Sequence, residues 1–115
     1  MKIYTSTMKY KGKDGLDVTV KGQDQLGKYF APTWTMVTGL KEGLITWDRY
    51  VHEYSNLLYK RFIESPQYFK EVCGLGTVTF KCYCKSPDRC HRLILAKFFE
   101  ALELVRYDVE YMGER

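Results

Sequence analysis

The sequence has no apolar run near the roughly 18 residues that a membrane-spanning helix requires. Its first residues, Met-Lys-Ile-Tyr-Thr-Ser-Thr, contain no apolar signal region. Neither G-x-G-x-x-G nor G-x-x-x-x-G-K occurs, so the two common glycine-rich phosphate cradles are missing, and dinucleotide-dependent redox chemistry is not expected. There is no internal repeat and no low-complexity segment. The expectation is a cytoplasmic protein with no membrane partner.

What is present describes a single small core. The chain has 115 residues, 45% of them hydrophobic and 28% charged, a balance that excludes bulk disorder and leaves no room for a second domain. The net charge of +4 comes from 18 basic against 14 acidic residues. Lys2, Lys9, Lys11, Lys13, Lys21 and Lys28 give the first 30 residues a basic lean. That is a thinner stripe than dedicated nucleic-acid domains carry. Ten Tyr, six Phe and two Trp are an unusual aromatic load, suited to core edges and to polar pockets alike.

Residues 2–6 read as a strand and 16–20 as a short strand or extended segment, with 9–15 and 22–27 as polar loops. A short helix opens near Thr33 and closes at Gly43. Thr46 is an N-cap candidate for a longer helix to about Phe62, whose stripe is Trp47, Tyr50, Val51, Tyr54, Leu57, Leu58 and Phe62. Ser65-Pro66 starts a further helix to about Val72. In residues 77–84, Val78, Phe80, Cys82 and Cys84 share one face of the clearest strand. A turn, a helix over about 89–104 and a last strand over 105–111 complete the chain. This order predicts one α/β domain over residues 1–115, three-layer-like, with a mainly parallel sheet and flanking helices. Ligands of such sheets bind beyond the carboxyl ends of the strands.

Attention therefore falls on Lys81 to Arg92, a strand end, a tight turn and a helix start. Unpaired N–H groups there favour an anion, with Lys85, Arg89 and Arg92 adding charge. The same field is expected to favour the thiolate at Cys84 or Cys90. At about 100° per residue, Cys90 and His91 share a face with Ile94, Phe98, Ala101 and Val105, expected to be the buried one. Arg92 is then expected on the opposite face with Ala96 and Phe99. On that geometry Cys90 and His91 also have a purely packing role open to them, and Cys82 reads as core.

Two other chemistries are weaker on the residues. The spacing C-x-C-x5-C-H lacks the separated ligand pairs of zinc sites, so neither a metal nor another cofactor is expected. Cys84 to Arg89 has the layout of a rhodanese-like anion loop, but Pro87 removes a donor and no Gly supplies positive φ.

Asp17-Val18-Thr19-Val20-Lys21, Phe30-Ala31-Pro32-Thr33-Trp34, Trp47 through Tyr50 and Tyr54, Cys82-Tyr83-Cys84-Lys85 with Cys90-His91-Arg92, and Tyr111-Met112-Gly113-Glu114 together resemble domain-of-unknown-function family 488. The likeness is to its short phage- and prokaryote-associated branch, with the Cys-His-Arg signature as hallmark. It implies a compact α/β domain and no particular reaction. The motif positions are polar and aromatic, which points to a pocket rather than to packing alone.

The leading expectation is an anionic, phosphate- or nucleotide-like ligand at the junction of strand 77–84 and helix 89–104. Lys21, Lys85, Arg89, Arg92 and Glu114 are candidate binding residues, with Trp34 and Tyr54 as aromatic faces. His91, Asp17 and Cys90 are the candidate catalytic groups for a hydrolase or transferase. The alternatives are a non-catalytic module that binds nucleic acid or a host partner, and a cysteine-based redox or metal site.

Overall fold

The computed structural model describes residues 1–84, 90–102 and 108–115. Four strands form a parallel sheet: β1 (Lys2–Thr7), β2 (Gly15–Asp17), β3 (Thr77–Cys82) and β4 (Glu110–Glu114), in the order β2-β3-β1-β4. Five helices accompany them among the described residues: α1 (Gln25–Lys28), α2 (Trp34–Lys41), α3 (Trp47–Glu64), α4 (Pro66–Cys73) and α5 (His91–Ala101). The fold is α/β, and no described helix is long and apolar enough to cross a membrane.

Local chemistry sets the helix starts. Thr33 accepts a hydrogen bond from the Met36 amide at 3.1 Å and Thr46 accepts one from Arg49 at 3.1 Å, so each threonine satisfies an amide that its helix leaves unpaired. Pro66 sits in the first turn of α4, where its missing N–H costs nothing. The long α3 buries Tyr50, Tyr54 and Leu58 along one stripe.

β1 and β3 pair in the register Ile3↔Val78 and Thr5↔Phe80, while Leu16 of β2 also faces Phe80. Ile3, Leu16, Val78 and Phe80 join Phe30, Tyr54, Leu58, Phe69, Leu95 and Phe99 in one core. Phe69 meets the rings of Phe30 and Phe62 edge-on at 4.9 and 5.2 Å. Such contacts account for much of the aromatic content as packing. The alternate positions on β3 carry Thr79 and Lys81, which bond to Asp14 and the Tyr10 carbonyl. Arg115 bridges Asp14 and Thr79 on the same side.

Several local expectations are corrected. Of the short strand or extended segment expected over 16–20, residues 16 and 17 belong to β2, and Val18 continues the pairing by donating to Lys81 O at 3.1 Å. The loop expected over 22–27 contains the start of α1, capped by Asp24. The expected last strand lies partly outside the described residues, and β4 runs from Glu110, through the tail.

The burial of α5 is the largest correction. Arg92, Leu95, Ala96 and Phe99 are fully buried, whereas Ile94 and Phe98 are half-buried and Ala101 is exposed. The helix is apolar on both sides, so periodicity alone does not select a face. Packing against β1, β3 and β4 selects the one with small Ala96 and gives Arg92 a carboxylate partner.

Candidate functional site

β3 ends at Cys82, and residues 18–21 leave β2 beside it. Between these ends, α2 and Tyr50 of α3 lies a cleft of about 450 Å³. Val20, Val37 and Leu40 supply apolar wall, Trp34, Tyr50 and Tyr83 aromatic surface, and Lys21 and Lys41 cationic groups. Thr19, Cys82, Cys84 and His91 complete the lining, which contains no carboxylate among the described residues. Trp34 is 51% exposed, and Lys21 Nζ lies 4.2 Å from the centroid of its ring. A stacking face and a positive charge thus stand together at the cleft.

Lys21 also lines a second, more polar groove of about 620 Å³ with Gly22, Gln23, Gln25, Lys28, Tyr29 and Arg61. The turn into this groove is tight: a Cβ on Gly22 would lie 2.6 Å from Asp17 Oδ2. Arg61 is anchored by the carbonyls of Tyr29 and Ala31 at 2.7 and 2.5 Å.

The innermost part of the cleft is the start of α5. His91 Nε2 lies 2.8 Å from Val18 O, and because a carbonyl only accepts, the ring proton is on Nε2. The other nitrogen, Nδ1, is 3.9 Å from Cys90 Sγ. Burial drives the His91 pKa down to about 4, with Arg92 reinforcing and Val18 opposing the shift, so the ring is neutral at physiological pH. Cys82 and Cys90 are paired as a disulfide, with their Cα atoms 7.8 Å apart, so that Cys73 and Cys84 are the free thiols.

Arg92 is a brace within this region. Its Nε and Nη2 donate to Glu114 Oε1 and Oε2 at 3.1 and 2.6 Å, and its Nη1 donates to Cys84 O at 2.7 Å and Cys82 Sγ at 3.1 Å. One guanidinium therefore ties α5 to the ends of β3 and β4.

The candidate residues from sequence divide accordingly. Lys21, Trp34 and His91 line the cleft together. Tyr54 does not: it is fully buried and donates its hydroxyl to Phe30 O at 2.5 Å, and Tyr50, one turn earlier, takes the cleft position. Asp17 stands behind the wall, accepting from the Thr19 amide and hydroxyl at 2.9 and 2.6 Å. Its turn positions the Val18 carbonyl that orients His91. Cys90 is buried behind His91, and Arg92 and Glu114 are spent on each other. Lys85 and Arg89 lie outside the described residues.

Desolvation pushes the Cys84 thiol up against the opposing charge of Arg92, so the described residues lend the expected thiolate no support. Sequence reasoning also missed Val37, Leu40 and Lys41, whose only signal was an amphipathic helix close after a tryptophan.

A parallel α/β domain with its cleft beyond the carboxyl ends of the strands is the class that this geometry defines. The chain belongs to the DUF488 family, and its match is to the DUF488-N3a family, described as the active DUF488-N3 subclade, over residues 3–103. No curated protein and no solved structure matches it.

Proposed function

We propose that the cleft binds a flat ligand with an anionic group, of nucleotide or related phosphate chemistry, and that the protein is a hydrolase or transferase acting on it. The observation that carries this reading is the position of Lys21, shared by an apolar, aromatic cleft and a polar groove lined by Lys28 and Arg61. A base or similar ring fits the first beside Trp34 and Tyr50, and a phosphate fits the second. The absence of carboxylates from the described lining of both favours an anion.

The word "active" in the subclade description supports a catalytic rather than a purely binding role. His91 borders the bound ring in this reading, as a neutral hydrogen-bonding group fixed by Val18. Asp17, Arg92 and Glu114 act as positioning residues behind it.

Thermal denaturation with nucleosides, nucleoside phosphates, sugar phosphates and inorganic phosphate tests the proposal, because a ligand that binds only the folded state raises the midpoint. Nucleoside phosphates are expected to stabilise the chain and Lys21→Ala to reduce that effect. No stabilisation by any phosphate compound overturns the reading. Stabilisation by short single-stranded nucleic acid alone replaces it with that of a nucleic-acid-binding module.

A further inference from the structure

Cys82, Cys90 and His91 each present one ligand atom, and these three atoms lie within 4.8 Å of one another. All three residues are buried, at 1, 1 and 7% exposure. The C-x-C-x5-C-H spacing lacks the separated ligand pairs of zinc sites, but the fold brings three of these groups together in another way. Cys90 is the N-cap of α5, with extended backbone at φ −130° and ψ 143°, so Cys90 and His91 straddle the helix start, and Cys82 approaches from the end of β3.

We propose that in the dithiol form, which a thiol reductant produces by taking the disulfide's two sulfurs to two thiols, these residues bind a thiophilic divalent cation, zinc by its chemistry, with one coordination position open to the cleft. Two features of the surroundings support a ligand role. His91 gives its Nε2 proton to Val18 O at 2.8 Å, which leaves the Nδ1 lone pair on the side of Cys90 Sγ. A histidine ligand oriented by such an outer hydrogen bond is the usual arrangement at metal sites. Arg92 Nη1 donates to Cys82 Sγ at 3.1 Å, stabilising the thiolate that metal binding requires.

The spacing of the backbone fits as well. The Cα atoms of Cys82 and Cys90 are 7.8 Å apart, whereas disulfides usually span about 4.4–6.8 Å. A tetrahedral zinc with Zn–S bonds of about 2.3 Å separates two thiolate sulfurs by about 3.8 Å, which a wider Cα pair accommodates. Two sulfurs and one imidazole nitrogen select zinc over magnesium or calcium, which take oxygen ligands. On binding, each thiol loses its proton to solvent and the imidazole stays neutral, so the ion and its ligands carry no net charge.

Cys82 and His91 line the cleft. A fourth ligand, water or a donor atom of the cleft's occupant, enters from that side. Three protein ligands with an open position are the pattern of catalytic rather than structural zinc.

The test uses the full chain, purified and kept under reductant, with Zn²⁺ and Co²⁺ as probes in the absence of nucleotides. Metal analysis is expected to find an equimolar ion. The cobalt protein is expected to show thiolate-to-metal charge transfer and the intense visible bands of tetrahedral cobalt. X-ray absorption of the zinc protein is expected to fit two sulfurs and two lighter atoms, a measurement that needs no variant. Cys90→Ser and His91→Ala are expected to weaken binding by at least tenfold, and Cys73→Ser to leave it unchanged. Failure of the reduced protein to take up either ion overturns the proposal. So does binding unaffected by both site variants, or recovery of Cys82 and Cys90 as a covalent pair under reductant. Nucleotide binding is measured separately, so either reading can fail alone.

Discussion

The guanidinium of Arg92, fully buried, meets the Glu114 carboxylate through two hydrogen bonds of 3.1 and 2.6 Å. Burial alone would raise the Glu114 pKa, but the hydrogen bonds and charge of Arg92 hold it below its ordinary range. A planar fork satisfied at both ends leaves no room for a point charge. Arg92→Lys is therefore expected to destabilise the fold by about 1–3 kcal/mol, because it leaves hydrogen bonds of a fully buried guanidinium unmade. Glu114→Gln, at the more exposed partner, is expected to cost less. Urea unfolding of the three proteins checks this, and an Arg92→Lys variant as stable as the parent contradicts it.

Tyr54 and Tyr50 separate packing from binding. Tyr54→Phe deletes a buried hydroxyl that donates to Phe30 O and is expected to lower stability by about 1–3 kcal/mol. Its ligand affinity is expected to match the parent's. Tyr50→Ala is expected to weaken ligand binding as well as stability, since that ring lines the cleft. Calorimetric titration with the stabilising nucleotide distinguishes the two.

Trp34 is half-exposed beside Lys21, so its removal is expected to leave stability within about 0.5 kcal/mol. Loss of a stacking face costs about 1–3 kcal/mol of binding. Trp34→Ala is thus expected to weaken nucleotide binding by about tenfold or more, and the parent's tryptophan emission is expected to change on ligand addition. Binding with parental affinity in Trp34→Ala removes the stacking role.

Asp14 gives the tail clasp a pH dependence. Burial pushes its carboxyl up, yet hydrogen bonds from Tyr10 and Thr79, with the charge of Arg115, bring it below its ordinary value of 3.8. A carboxyl depressed in the folded state contributes stability that is present above the unfolded pKa and lost as pH falls through the folded one. The melting difference between the parent and Asp14→Asn is expected to be full at neutral pH and to shrink below about 3.8. A difference that instead grows in acid reverses the sign and refutes the assignment.

Patterns within a few residues decided much of this protein. The threonine caps of α2 and α3, the proline start of α4, the stripe Tyr50, Tyr54 and Leu58, and the alternation of β3 were all legible, because each depends on neighbours along the chain. Lys21, Trp34 and His91, candidates from the sequence, line one cleft next to the end of β3.

Contacts between distant segments decided the rest. Arg92 has an inward position because a carboxylate 22 residues later arrives to neutralise it, and no periodicity in α5 contains that information. Tyr50 rather than Tyr54 lines the cleft because Tyr54 lies beneath the Phe30 carbonyl. Cys82, Cys90 and His91 converge because an extended N-cap turns two adjacent side chains toward a strand end. The sequence by itself determined a small α/β core and which polar and sulfur-bearing residues stand near its helix start. Only the tertiary structure decided which of those groups line the cleft, since burial, pairing and the direction of a pKa shift depend on what folds against a residue.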